Sequence, residues 1–164
     1  MLAADRDADF DAGFDALYAG HVARVVRLAA LLGAEDPEDV AQEAFCRLYA
    51  ARARVRDGEV VPYLNRIVVN EVRSRARRRR TADGKRHLLP VPGTTPGPSG
   101  DRTAVLDALA ALPQRQREAL VLRFWLDLPF EQIAEAMGVA SGTAKSQVSR
   151  GLKALAVTLD EEEA

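Results

Sequence analysis

Arg66, Asn70, Arg73, Arg77 and Arg80 recur at steps of four, three, four and three residues. On a helical period that spacing puts all five side chains on one stripe. A row of guanidinium groups follows a phosphate backbone well, because each phosphate neutralised releases counterions, and an amide among them adds hydrogen bonds to an exposed base edge. Like charge at that density repels itself unless something acidic is bound; the plain alternative is a solvated basic face. Just upstream, Arg54 to Glu59, with Arg56 and Asp57 inside it, breaks the period and reads as a loop hinged at Gly58. Tyr63, beside that loop, offers a flat ring on which an unstacked base could lie, although on its own it reads as a core aromatic.

A second constellation runs from Phe130 to Leu159. Ile133, Ala134 and Met137 make one apolar edge, Gly138 suits the left-handed conformation that ends a helix, and Ser141 is placed to cap the next helix with its hydroxyl. In that next helix Ala144, Val148, Gly151, Leu152 and Leu155 share one side, and Ser146, Ser149, Arg150 and Lys153 lie opposite. With no carboxylate between Met137 and Thr158, the outer side presents donors and positive charge, which suits a helix pressed into the major groove. An ordinary amphipathic helix with a solvated face is the alternative. A third cluster, Glu35, Asp36, Glu38, Asp39, Gln42 and Glu43, is acidic. Carboxylates near a helix N-terminus are favoured by its dipole, so a structural reading stands beside that of a partner surface.

The elements that must position these groups are helical. Phe10, Phe14, Leu17, Tyr18, Val22, Val25, Val26, Ala29 and Leu32 describe one long helix or two joined ones, after a frayed start and ending at Gly33. Asp36 caps, and Pro37 begins, a helix to about Ala53 that buries Val40, Ala41, Ala44, Phe45 and Leu48. A helix from Val60 to about Arg80 faces inward with Val61, Leu64, Val68, Val72 and Ala76. Residues 81–100 interleave four prolines with four glycines, an extended tether. Order resumes at Asp101 with Val105, Leu106, Leu109 and Leu112 inward. A helix from Gln114 to Trp125 then buries Ala119, Leu120, Leu122 and Trp125, and Asp160 to Glu163 reads as a disordered acidic tail.

Length and composition suit this division: 164 residues, 48% hydrophobic, allow two small helical bodies. The formal net charge of −1 hides a segregation, acids at the ends and around Glu35 to Glu43, bases from Arg66 to Arg86. The single Cys46 lies in an apolar run, which predicts a buried structural thiol and a reducing cytoplasm. There is no apolar run of membrane-spanning length, and the acidic start is unlike a secretory signal. His21 and His87 are isolated, and no nucleophile, metal-ligand or phosphate-loop pattern occurs, so no catalysis, metal or cofactor is expected.

Taken together, these motifs resemble the extracytoplasmic-function (ECF, group 4) bacterial RNA polymerase sigma factors. Asp39-Val-Ala-Gln-Glu-Ala-Phe45 is similar to the family's second-helix signature, and Tyr63-Leu-Asn-Arg-Ile-Val-Val-Asn70 with the following arginines to its promoter-melting helix. Leu112-Pro-Gln-Arg-Gln-Arg-Glu-Ala-Leu120 and Ile133 to Ser146 are similar to its C-terminal domain. The resemblance covers about Phe10 to Leu155 and implies an all-α chain. It has a region 2-like bundle over residues 1–80, a linker over 81–100, a region 4-like helix-turn-helix over 101–159 and an acidic tail at 160–164.

By the same resemblance, Asp39, Gln42 and Glu43 face the clamp helices of the largest subunit of core RNA polymerase. Arg54, Arg56, Asp57, Tyr63, Arg66 and Asn70 capture a flipped base of the minus-10 element and hold the melted strand, with Arg73, Arg77 and Arg80 on nearby phosphates. Ser141, Thr143, Lys145, Ser146, Gln147, Ser149 and Arg150 contact the duplex minus-35 element. The flap region of the polymerase and an anti-sigma protein are further implied partners.

Departures from the pattern are Gln147 and Ser149, where larger basic or aromatic residues are frequent, Ala144 in place of Val, and Pro129 where a capping Ser or Thr is common. Two other readings stay open: a helix-turn-helix regulator acting without polymerase, and an interaction protein that sequesters another factor through its acidic helix.

Overall fold

The computed structural model describes residues 2–84 and 101–163, with every element among them helical. They are α1 (Leu2–Leu31), α2 (Pro37–Ala50), α3 (Val60–Gly84), α4 (Asp101–Ala111), α5 (Gln114–Leu120), α6 (Phe130–Met137) and α7 (Ser141–Glu163). Two compact units result, Met1–Val72 and Arg73–Ala164, so α3 contributes its first part to one and its last turns to the other. Most of the expected tether, residues 85–100, and His87 with it, lie outside the described residues. Its first residues are helical: α3 continues through Thr81–Gly84, and the Thr81 hydroxyl donates to the Arg77 carbonyl at 3.1 Å.

In the first unit α1 is one continuous helix that ends at Gly33, whose φ of 95° needs a residue without a Cβ. Asp36 accepts a hydrogen bond from the Asp39 amide at 3.0 Å, and Pro37 follows at the first helical position. All five expected residues of α2, Val40, Ala41, Ala44, Phe45 and Leu48, are buried. They pack with Val25, Leu28, Ala29 and Leu32 of α1 and Leu64, Val68 and Val72 of α3 in the hydrophobic core. Cys46 is exposed, contrary to the expected buried thiol, because the inward set leaves it on the outer face with Gln42. Rings of Phe10, Phe14, Tyr18, Phe45 and Tyr49 cluster in tilted and edge-on contacts, with centroids 4.8 to 6.2 Å apart. The Arg24 guanidinium donates to Asn65 at 2.9 Å, and burial lowers its pKa.

In the second unit the core is built from Ala108, Leu112, Ala119, Leu120, Val121, Leu122, Ile133, Ala134, Met137, Ala144 and Val148. The α4 face differs from expectation: Ala108 and Leu112 are inside, whereas Val105 and Leu106 are exposed. Beyond Leu120 the helix widens into a π-helical turn, Val121–Trp125, closed by the Leu126 amide on the Val121 carbonyl at 3.3 Å. Asp127 then takes a positive φ of 53° to reverse the chain. Gly138 ends α6 in the left-handed conformation, φ 67°. Ser141 is not the cap of α7: the Ala140 carbonyl accepts the first bond, from Ala144 at 3.0 Å, which puts Ser141 one place inside. The acidic Asp160 to Glu163 is not a disordered tail, since α7 runs through Glu163.

Candidate nucleic-acid interface

The arginine stripe lies on α3 as its spacing requires. Arg66, Asn70, Arg77 and Arg80 are exposed on that one helix, but Arg73 has another engagement. Its side chain is 17% exposed, and its Nε and Nη2 lie 3.2 and 2.5 Å from the two carboxylate oxygens of Glu118, a residue wholly buried in the second unit. Its Nη1 donates to the Met137 carbonyl at 3.3 Å. Such a forked pair satisfies both charges and fixes the arginine's direction. Gln114 adds a third donor to Glu118 at 3.3 Å, and Arg115 joins Arg73 on the Met137 carbonyl at 3.1 Å.

The loop before α3 holds Arg54, Arg56 and Asp57 exposed, with Gly58 at φ 85°. The Tyr63 amide bonds the Glu59 carbonyl at 2.9 Å in the first turn, and the Tyr63 side chain is half-buried. At the foot of the loop opens a cavity of about 300 Å³ whose walls include Phe10, Phe14, Arg52 and Asp57. Arg52, which sequence reasoning passed over, stacks on the Tyr49 ring at 4.4 Å and donates to the Tyr49 carbonyl at 3.1 Å. Its signal was only its place four residues before Arg56.

On α2, Asp39 and Gln42 are exposed and Glu43 is half-buried, all on the outer face. Arg47 hydrogen-bonds Glu43 at 2.7 Å and forms an ion pair with the buried Glu71 of α3 at 2.9 Å, so the acidic row is tied down at its far end. Beside it a shallow groove of about 430 Å³ is lined by Tyr18, Gln42, Phe45, Cys46 and Tyr49. On α7, Thr143, Lys145, Ser146, Ser149 and Arg150 are exposed, while Ser141 and Gln147 are half-buried. Buried Ala144, Val148 and Gly151 anchor the opposite side of α7. The Lys145 ammonium lies 5.5 Å from the centre of the Phe130 ring, and the Arg123 guanidinium 4.9 Å from the same ring. Phe124, 62% exposed within the π-helical turn, was also passed over.

Among the described residues, no three His, Cys, Asp or Glu side chains gather as metal ligands would, and no helix is long and apolar enough to cross a membrane. The side chains exposed on α3 and α7 present guanidinium, ammonium, amide and hydroxyl groups, the kinds of group that contact nucleic acid through charge and hydrogen bonds.

Comparison with known proteins agrees. Residues 17–82 match the sigma-70 region 2 family and residues 102–155 the sigma-70 region 4 family. The chain is 31% identical to an RNA polymerase sigma-E factor of Streptomyces antibioticus, over 76% of this chain and 71% of that one. It is 34% identical to the ECF RNA polymerase sigma factor SigM of Mycobacterium tuberculosis, over 87% and 75%. Among solved structures, the sigma factor RpoE in complex with the anti-sigma factor NepR from Bartonella quintana superposes with a TM-score of 0.78 at 25% identity, covering 90% of this chain and 96% of that one. With both domains matched in order along one chain and relatives alike over most of their own length, the protein belongs to the ECF family of RNA polymerase sigma factors and is a promoter-specificity subunit of that enzyme.

Proposed function

We propose that residues 1–80 dock on core polymerase and open the minus-10 element, that 101–159 read the minus-35 element, and that 81–100 tether the two. The observation that carries this reading is the row of Arg66, Asn70, Arg77 and Arg80 exposed on one face of α3. The fourteen residue steps from Arg66 to Arg80 rise about 21 Å, the rise of about six nucleotides of one duplex strand. A repressor that only grips duplex DNA through α7 has no use for that row.

Asp39, Gln42 and Glu43 meet the clamp helices of the largest subunit, with the apolar groove beside Gln42 giving the partner helix its footing. Arg54, Arg56, Asp57 and Tyr63 take one unstacked base, and the cavity at the foot of their loop is at the small end of ligand-pocket sizes. Arg66 and Asn70 hold the melted strand; Arg77 and Arg80 neutralise its phosphates. Stacking and counterion release then offset unpairing, so opening needs no nucleotide hydrolysis by this subunit. Thr143, Lys145, Ser146, Gln147, Ser149 and Arg150 enter the major groove upstream, with Ser141 at its edge. Exposed Phe124 gives the polymerase flap an apolar contact. RpoE was solved with an anti-sigma factor, and an anti-sigma protein is the regulator we expect here.

The test is transcription by purified core polymerase with and without the protein on fragmented genomic DNA from its source, mapping RNA 5′ ends. New starts that share two spaced upstream elements are expected. Duplex binding by the protein alone with no new starts would favour a regulator, and neither would favour sequestration of another factor.

A further inference from the structure

We infer that Phe130 is a positioning residue for minus-35 recognition, acting through Lys145. Phe130 is the first residue of α6, half-buried, and its ring is approached by two cations, Arg123 at 4.9 Å and Lys145 at 5.5 Å. Arg123 is fixed from behind, since its Nη1 donates to the Leu128 carbonyl at 2.9 Å. Lys145 is exposed on the second turn of α7, and no ion pair holds it among those the structure displays.

A lysine ammonium on a four-carbon stem is the most mobile cation a protein has, and fixing it on DNA costs its rotamer freedom. The negative face of an aromatic ring removes part of that cost by holding the ammonium near one direction before DNA arrives. Leu has similar bulk but no such face, so the role belongs to the ring and not to apolar volume. Nothing in the family match assigns this residue a part.

The inference rests on the reading of Lys145 as an upstream DNA contact, so the experiment separates the two. Holoenzyme is reconstituted from core polymerase and the full chain carrying F130L, F130Y, K145Q or F130L with K145Q. Affinity for promoter fragments is measured with the upstream element intact and scrambled, after melting curves verify folding.

We expect F130L to weaken binding to the intact element about two- to five-fold, F130Y to retain it, and F130L to add nothing in the K145Q background. Equal losses from F130L with and without Lys145, or an equal loss on the scrambled element, would reduce Phe130 to a structural residue and overturn the inference alone. A flat response to K145Q would overturn the reading of Lys145 and the inference with it. If F130L unfolds the domain, the decision falls to F130Y: loss of upstream affinity in that folded, ring-bearing variant overturns the proposal.

Discussion

Arg73 is the member of the α3 stripe whose side chain turns inward, 17% exposed. Its place in the stripe suggested phosphate binding, yet its guanidinium is forked onto a carboxylate 45 residues further along. No local pattern announces a partner at that separation, and Glu118 in its Gln-Arg-Glu setting reads as a surface acid. Glu118 is instead wholly buried, satisfied by Arg73 and Gln114. Removing it strands a mostly buried guanidinium, and breaking such pairs costs about 3 to 5 kcal/mol. Glu118→Ala is therefore expected to lower the urea midpoint of the second unit sharply, while Glu135→Ala on the exposed side of α6 leaves it within about 0.5 kcal/mol. Matching midpoints for the two variants would contradict the burial argument.

Among the elements, α7 depends on how closely it can approach α5. Gly151 is buried there, and a Cβ at this position would lie 2.9 Å from Leu120 Cγ and 3.4 Å from Gln116 Cβ. Leu120 is itself only 3% exposed, so it has little room to give. Gly151→Ala gains about 1 kcal/mol of helix propensity, but overpacking costs about 1 to 3 kcal/mol. The net expectation is a loss of stability together with weaker upstream binding, because α7 is pushed from its seat. Gly138→Ala meets nothing within 4 Å and suffers only its positive φ. It should cost about 1 to 2 kcal/mol and leave upstream affinity per folded molecule unchanged; melting curves paired with promoter binding separate the two.

Much of this scale was legible beforehand. The inward set of α2, its Asp36 cap and the left-handed Gly138 all follow from period and cap chemistry. What escaped was set by tertiary packing. An eleven-residue α4 rich in alanine has two plausible inward faces, and the one with Ala108 and Leu112 won over Val105 and Leu106. The π-helical turn likewise left no periodic trace, whereas the outward turn of Cys46 follows from the inward set of α2 and was hidden only by the apolar character of its run. The arginine row, the loop and the outer face of α7 were legible because charge at regular spacing is visible without coordinates. Arg52, Phe124 and Phe130 were not, since what each touches decides what it does.

At the scale of the whole molecule, two kinds of charge serve two tasks. Arg77→Gln with Arg80→Gln is expected to leave binding to core polymerase unchanged while making the salt dependence of strand opening shallower by about 1.4 in log–log slope, the share of two single-strand phosphates. Permanganate reactivity of unpaired thymines reports opening, and fluorescence anisotropy reports core binding. An equal drop in both would dissolve the division of labour. Charge also has a direction along α7. Lys145, Arg150 and Lys153 precede Asp160 to Glu163, which form its last turn, on one unbroken helix. Lys145 and Asp160 are separated by about 22 Å of helix, more than twice the screening length in physiological salt, so the acids do not cancel that lysine. They act instead like the far pole of a compass needle. In the field of a polyanion the helix feels a turning moment, and an approach with its acidic end leading is turned away before any base is read.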